Sequence, residues 1–222
     1  MELNMSNPKL ILQEGISDQQ IASIPPQTVY LSIKRIMDIV MIIATLPVTI
    51  PVLLITAIFI KLESKGPVFF WQKRVGAFGK SFNMLKLRSM TTDSEKEGSQ
   101  FASNTDKRVT KVGRIIRKMR IDEIPQLWNV LKGEMSIIGP RPEQVSFVNK
   151  FNLTIPNYAD RHVVAPGITG LAQTVQGYVD DENGTVVKLK YDLEYINSLS
   201  FMTDMKIVYK TIYTILTGFG AR

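Results

Sequence analysis

The sequence predicts a mainly helical α+β protein: a membrane anchor that enters and leaves the bilayer on one side, followed by a small cytoplasmic domain. Three observations lead to this fold class. The stretch from Ile36 to Ile60 carries a single charge, Pro47 and Pro51 interrupt it near its middle, and helical periodicity dominates the chain after residue 110. We therefore divide the chain into an N-terminal extension (1–31), a re-entrant anchor (32–61) and a domain (62–222).

Composition narrows the classes of function. The 222 residues suffice for one domain plus an anchor, and a net charge of +7 favours an anionic partner, whether nucleic acid, anionic lipid or a phosphorylated substrate. The chain has no cysteine, which excludes disulfides and thiolate catalysis. His162 is the only histidine, which excludes a multi-histidine zinc site.

The anchor segment allows two topologies. As one straight helix it would be roughly 37 Å long, enough to cross a hydrocarbon core of about 30 Å. Prolines at 47 and 51 bend the same helical face, however, and positive charges flank both ends of the segment. A spanning helix should show asymmetric flanks, so we favour a re-entrant hairpin, with a spanning helix as the alternative. Within the anchor, Asp38 is expected to pair with Lys34.

Two short strands are predicted after the anchor, at 68–72 and 81–85, paired as a hairpin across a glycine-containing loop. The aromatic residues 69–71 suit either core packing or the membrane interface. Basic residues in this region, Arg88 among them, suit either a solvated surface or contact with anionic headgroups. Residues 91–108 are polar and predict a surface loop.

Two further helices surround an acidic pair. Residues 112–119 have apolar spacing with a basic face, and the next helix is expected to begin at Pro125 and end at Gly133. Asp122 and Glu123 therefore fall at a helix N-terminus. There they could simply cap the helix, or the same place could bind a phosphate and keep a carboxylate ionised.

The chemical alternative is specific. An ionised aspartate can attack phosphorus, and a neighbouring glutamate can hold a hard metal ion that brings an anionic phosphate to it.

A last helix, from Asp204 to Thr217, places an apolar face either in the core or in the membrane interface. The residues expected on this apolar face are Met205, Val208, Tyr209, Ile212 and Leu216.

The run from Ile121 to Ser136, followed by Gly139-Pro140-Arg141-Pro142, resembles the bacterial sugar transferase family, the monotopic polyprenyl-phosphate sugar-1-phosphate transferases. The resemblance covers about residues 32 to 217. Its other matching stretches include Lys86-Leu87-Arg88-Ser89-Met90 and residues 166–173.

The resemblance implies transfer of a sugar 1-phosphate from a nucleotide diphosphate sugar, expected to be a UDP-sugar, to undecaprenyl phosphate. Asp122 matches the nucleophile, and Glu123 its partner, associated with Mg²⁺. Arg117 and Arg141 match phosphate-binding arginines, and we assign Arg88 to the same group. The family places its members on the cytoplasmic face of the bacterial inner membrane, in contact with membrane lipids. Nucleic acid is not an expected partner, and a homo-oligomer is left open.

Two departures from the family pattern stand out. The helix break matches Pro51, but Ile50 stands where the family has serine, and Pro47 is an additional proline. The segment from Gln173 to Tyr178 is one residue longer than usual and ends in tyrosine instead of arginine.

His162 fits a common Arg-His pair and is interpreted as structural. The alternative function is a non-enzymatic, basic membrane-surface protein.

Overall fold

A computed structural model describes residues 28–91, 108–177 and 181–217. The predicted N-terminal extension up to residue 27, most of the predicted 91–108 loop, and Tyr178 lie outside these ranges. The elements, in chain order, are α1 (Thr28–Glu63), β1 (Phe69–Val75), β2 (Ser81–Leu87), α2 (Lys111–Lys118), α3 (Gln126–Lys132), β3 (Ser136–Ile138), α4 (Val145–Thr154), β4 (Gly167–Thr169), α5 (Leu171–Val175), α6 (Glu182–Asn197) and α7 (Phe201–Thr217). The mainly helical α+β class is thus confirmed.

The anchor is a single helix, α1, which begins before and ends after the predicted boundaries of 32 and 61. The helix runs through both Pro47 and Pro51, so the predicted break into a two-helix hairpin is not confirmed. A proline removes one backbone hydrogen bond and can bend a helix without ending it. Among the described residues, α1 is the one helix long and apolar enough to cross a membrane.

Both ends of α1 are fastened to the same domain. Near the N-terminal end, Lys34 Nζ lies 2.5 Å from Asp204 Oδ2 of α7. At the C-terminal end, the carboxylate of Glu63 accepts hydrogen bonds from the backbone N–H groups of Lys111 and Val112, at 2.7 and 2.9 Å. Both ends of α1 therefore contact the domain that follows it in the chain.

Asp38 has a different partner from the one the sequence suggested. Its carboxylate accepts hydrogen bonds from Ser136 Oγ at 2.7 Å and from the backbone N–H of Ile137, while Lys34 turns to Asp204. Both groups are buried, so each needs a close partner, and tertiary contacts supply better ones than the i,i+4 pair.

One stripe of α1 packs on the domain and the rest is exposed. Ile42 joins a buried cluster with Met84, Val130 and Met135. Ile60 joins another with Leu87 and Ile116. The opposite face exposes Val40, Ile43, Val48, Leu54 and Ile58. An apolar helix with an exposed apolar face of this size requires a non-aqueous neighbour.

The predicted hairpin is confirmed and is slightly longer than expected. β1 and β2 pair antiparallel, with Trp71 opposite Leu85. Phe69 and Trp71 share one face and are about half exposed, which favours the interface over the core for these two rings. In the hairpin, β2 packs against α3 and the turn that precedes it, and β1 packs against α4.

The helix boundaries around the acidic pair follow local chemistry. Thr110 Oγ1 accepts from the N–H of Gly113 and caps α2, and α3 ends at Gly133, whose φ of 82° is left-handed. Both ends of α3 lie within one residue of the predicted Pro125 and Gly133.

A parallel pair, β3 and β4, holds the Gly-Pro-Arg-Pro turn. Ser136 pairs with Gly167, and Ile138 with Thr169. A Cβ added at Gly167 would stand 2.1 Å from the backbone nitrogen of Gly139, so a side chain there would push the strands apart. The close approach fixes where residues 140–142 leave β3.

The apolar face predicted for the last helix is only partly buried. Among the α7 residues whose burial the structure describes, Asp204, Ile207 and Thr214 are buried, whereas Tyr209 and Ile212 are exposed. The predicted Leu216 lies outside these residues. The core side of α7 is thus more polar than apolar periodicity indicated, because Asp204 and the threonines find hydrogen-bond partners inside the protein.

Candidate active site

Asp122 and Glu123 lie in a short 3₁₀ turn, Ile121–Glu123, between α2 and α3. The chain enters this turn through Arg120, which has a left-handed φ of 55°. The N-cap position of α3 is Pro125, and no side chain caps that helix. The interpretation of the pair as a helix cap is therefore wrong, and both carboxylates are available for other contacts.

Glu123 is buried and paired with the Gly-Pro-Arg-Pro turn. Arg141 Nη2 donates to Glu123 Oε1 at 2.6 Å. Burial alone would raise the pKa of Glu123, but the positive charges of Arg141 and Lys86 outweigh it and lower the pKa to about 2. Glu123 is thus a permanently ionised carboxylate.

Asp122 behaves in the opposite way. Burial and the adjacent Glu123 charge raise the pKa of Asp122 to about 6, against the attraction of Lys86, Arg141 and Arg117. The sequence suggested that a helix N-terminus would hold Asp122 ionised, but burial beside a second carboxylate opposes this. At neutral pH the ionised form still predominates, and its raised basicity suits a nucleophile.

Lys86 is a site residue that the sequence alone did not single out. It lies near the end of β2, and burial together with Arg141 lowers its pKa to about 8. Glu123 and Asp122 counteract this shift, which places Lys86 beside the dyad. The sequence feature that pointed to Lys86 is its place in the Lys-Leu-Arg-Ser-Met stretch, which matches the family pattern.

The predicted arginines divide into two groups. Arg117 acts electrostatically on Asp122, and Arg141 contacts Glu123, so both are brought to the dyad. Arg88 instead donates to the carbonyls of Ser64 and Lys65, both at 2.8 Å, and to Ser64 Oγ. These contacts stabilise the turn that follows α1. The assignment of Arg88 as a phosphate ligand stays a prediction.

A buried network of ion pairs contacts the backbone of Arg141. Arg161 donates from Nη2 to the backbone carbonyl of Arg141 at 2.9 Å, and its Nε and Nη2 both contact Asp192 Oδ2. Next to it, Glu143 is paired with Lys188. These buried ion pairs and the hydrogen bond from Arg161 restrain the backbone of the Gly-Pro-Arg-Pro turn. They therefore help to hold Arg141 in one orientation.

His162 lies in the same layer and takes no part in the dyad. Burial and the neighbouring Arg161 lower its pKa to about 3, so the ring is neutral at physiological pH. Its ring meets Tyr158 edge-on with centroids 6.1 Å apart. These contacts agree with the structural role predicted for it.

The dyad fits one mode of magnesium binding. The described part of the chain contains no group of three or more metal-ligating side chains, and so no all-protein cage. Mg²⁺ is commonly held by one or two carboxylates together with substrate phosphates. The ionised Glu123 beside Asp122 supplies that type of donor set.

The fold and the site combine one helix long and apolar enough to cross a membrane with two adjacent carboxylates that lie among basic side chains. The family model for bacterial sugar transferases matches residues 29–218, and the chain belongs to that family.

Three relatives illustrate the similarity. The chain is 52% identical, over 94% of its length, to a UDP-N-acetylgalactosamine-undecaprenyl-phosphate N-acetylgalactosaminephosphotransferase of Aeromonas hydrophila. It is 41% identical, over 83% of its length, to a UDP-glucose:undecaprenyl-phosphate glucose-1-phosphate transferase of Caulobacter vibrioides. It is 38% identical, over 84%, to the exopolysaccharide production protein PSS of Rhizobium leguminosarum. The chain spans 49% of the first relative, 70% of the second and 96% of the third.

Proposed function

We propose that this protein transfers a sugar 1-phosphate from a UDP-sugar to undecaprenyl phosphate, releasing UMP, as a first membrane step of surface glycan assembly. The observation that carries the proposal is the dyad: a nucleophile of raised pKa beside an ionised Glu123 held by Arg141. The activities for which the relatives from Aeromonas and Caulobacter are named support the same reaction.

In the first half-reaction, a carboxylate oxygen of Asp122 attacks the phosphorus that bears the sugar. The bond from that phosphorus to the oxygen bridging the two phosphates breaks, and UMP leaves with the bonding electrons. A mixed anhydride between Asp122 and the sugar phosphate remains. Arg117, Arg141 and Lys86 orient the phosphates and neutralise charge there, which is most of what phosphoryl transfer requires.

In the second half-reaction, a phosphate oxygen of undecaprenyl phosphate attacks the same phosphorus. The bond to Asp122 breaks, the carboxylate is regenerated, and undecaprenyl-diphosphate sugar is formed. The two steps make a ping-pong sequence in which each substrate meets the same side chain. When bound, Mg²⁺ would be held by Glu123 together with substrate phosphates and would supply charge neutralisation.

We also propose that α1 is a re-entrant anchor at the cytoplasmic face of the bacterial inner membrane. Two contacts support this placement: Lys34 with Asp204 at one end, and Glu63 with the N-terminus of α2 at the other. A helix spanning the bilayer would put its ends on opposite sides, and one small domain could not contact both. A bend at Pro47 and Pro51 would let the exposed apolar middle of the helix enter the lipid.

Topology can be tested directly because the chain has no cysteine. Val29→Cys and Leu62→Cys place single thiols at exposed positions near the two ends of α1. A membrane-impermeant maleimide should label both in inverted vesicles and neither in intact cells. Labelling of only one of them from either side would show that α1 spans the membrane.

The reaction is tested with purified protein in nanodiscs, Mg²⁺, undecaprenyl phosphate and a panel that includes UDP-N-acetylgalactosamine and UDP-glucose. Without acceptor, a UDP-sugar labelled in the sugar should label the protein and release one UMP per chain. Asp122→Asn should abolish both. Release of UMP by Asp122→Asn at the wild-type rate would exclude Asp122 as nucleophile. Lipid binding without turnover of any nucleotide sugar would favour the non-enzymatic alternative.

A further inference from the structure

A cavity of about 180 Å³ borders Glu123 and lies between α3, β4, α5 and α7. Glu123 and Arg120 are part of its wall, so the cavity adjoins the Ile121–Glu123 turn. The remaining lining residues are Ile124, Leu127, Ile168, Thr169, Gln173, Thr174, Thr211 and Thr214. We call it the Thr214 pocket.

The hydroxyl groups of the four threonines that line the Thr214 pocket already form hydrogen bonds within the protein, so their protons are not available to a ligand. Together with the isoleucine and leucine side chains, the threonine methyl groups make the lining largely apolar apart from Arg120, Glu123 and Gln173. The hydrogen bonds are Thr169 Oγ1 with Thr211 Oγ1 at 2.8 Å, Thr174 Oγ1 to the carbonyls of Gly170 and Leu171, Thr211 Oγ1 to the carbonyl of Ile207 and Thr214 Oγ1 to the carbonyl of Lys210.

Away from Arg120 and Glu123, this lining suits a sugar poorly. Sites that recognise hydroxyl groups do so with side chains free to hydrogen-bond them. In the Thr214 pocket the one buried polar atom without a partner is Gln173 Oε1, while Gln173 Nε2 donates to the carbonyl of Ile168 at 2.8 Å. A pyranose would bury several hydroxyls against methyl groups, at a cost for each unpaired group.

An apolar track leads away from the pocket along α3. Leu131 lies one turn beyond Leu127 on the same helical face and is 38% exposed, and the neighbouring Trp128 is 50% exposed. A chain leaving the pocket along this face would pass from buried to exposed apolar side chains, as a lipid tail returning to the bilayer requires.

We propose that the Thr214 pocket holds the isoprene unit next to the phosphate of the polyprenyl phosphate acceptor. An apolar cavity of about 150 Å³ accommodates benzene, so a cavity of this size suits a five-carbon unit. The phosphate then lies toward Arg120 and Glu123, the second of which is adjacent in the chain to Asp122. This inference rests on the proposed function and assigns the acceptor subsite within it.

The test fills the pocket and separates the two half-reactions. Thr214→Phe should raise the KM for undecaprenyl phosphate at least tenfold, while the single-turnover release of UMP without acceptor slows less than twofold. Thr217→Phe, on the exposed side of the same helix, is the control and should match wild type. A parallel fall in both half-reactions of folded Thr214→Phe would assign the pocket to the donor, and an unchanged KM would also overturn the proposal.

Thr214→Val separates shape from hydrogen bonding, since it replaces the hydroxyl by a methyl group. An apolar subsite predicts a far smaller rise in acceptor KM for valine than for phenylalanine. If the valine variant instead lost UMP release from the donor, the hydroxyl would be a sugar ligand and the inference would be wrong.

A binding readout distinguishes this inference from the proposed function. A polyprenyl phosphate with a diazirine in its first isoprene unit should photolabel the wild-type peptide containing residues 211–214, and Thr214→Phe should reduce the label at least fivefold. If the wild-type protein turns over no UDP-sugar but this labelling occurs, the proposed function fails and the pocket assignment stands. Turnover without labelling of this peptide would overturn the pocket assignment alone.

Discussion

Arg141 Nη2 and Glu123 Oε1 lie 2.6 Å apart, and this contact joins the acidic turn to the Gly-Pro-Arg-Pro turn. The pair keeps Glu123 ionised and fixes an arginine at the edge of the dyad. Because Glu123 is buried, the arginine compensates its carboxylate, and in the proposed reaction its other N–H groups would bind a substrate phosphate.

Arg141→Met should therefore lower the single-turnover rate of UMP release by about 100-fold, comparable to removing one donor from an anion-binding site. Arg114→Met removes an exposed arginine from α2 and is the matched control. Stopped-flow detection of UMP gives the rates. If both variants lost the same activity, general positive charge rather than the Arg141 contact would be responsible.

Lys86→Met should slow the donor half-reaction by about tenfold or more, because it removes a desolvated cation that opposes the charges of Asp122 and Glu123. Lys80→Met, at an exposed position of the same hairpin, should remain within twofold of wild type. Retention of the full rate by Lys86→Met would remove Lys86 from the site.

The buried pair of Lys34 and Asp204 predicts a stability effect far from the dyad. Lys34→Met should destabilise the protein by about 3–5 kcal/mol, since it leaves the Asp204 carboxylate buried with only the hydroxyls of Tyr30 and Tyr195. Thermal unfolding in a fixed detergent measures the change, with the exposed Lys61→Met as control. Adding Asp204→Leu should recover part of the loss, and failure to recover any would argue against an uncompensated charge as the cause.

His162 predicts a dependence of stability on pH. Its folded-state pKa, about 3, is below the ordinary value of 6.5, so between these values the unfolded chain binds the extra proton. The contribution of His162 is therefore fully present above pH 6.5 and is lost as pH falls toward 3, at up to about 1.4 kcal/mol per pH unit. Unfolding midpoints at pH 7 and pH 5 measure it. His162→Phe should reduce the slope, and an unchanged slope would assign it to other groups.

Much of the local structure follows from local sequence. Thr110, Pro125 and Gly133 mark helix ends because each acts on its own backbone, and the hairpin follows from two short apolar runs around a glycine loop. The proximity of Asp122, Glu123 and Arg141 was implied by the family resemblance.

What could not be predicted depends on contacts between distant segments. Lys86 reaches the dyad because β2 packs on the 121–123 turn, and nothing in its own neighbourhood distinguishes it from Arg88, which turns to the end of α1. The Thr214 pocket was missed for a similar reason. Apolar periodicity selected Tyr209 and Ile212 of α7, whereas the buried side holds threonines whose hydroxyls are satisfied by their own helix.

The packing of Ile42 and Ile60 into two clusters of the domain has a practical consequence for protein engineering. Deleting α1 to obtain a water-soluble fragment would uncover both clusters, strip Asp204 of its lysine and leave the α2 N-terminus without Glu63. A fragment that begins at residue 64 should therefore aggregate. Solubility is better sought by polar substitution of outward residues such as Val40, Ile43 and Leu54, which leaves the inward stripe of the anchor in place.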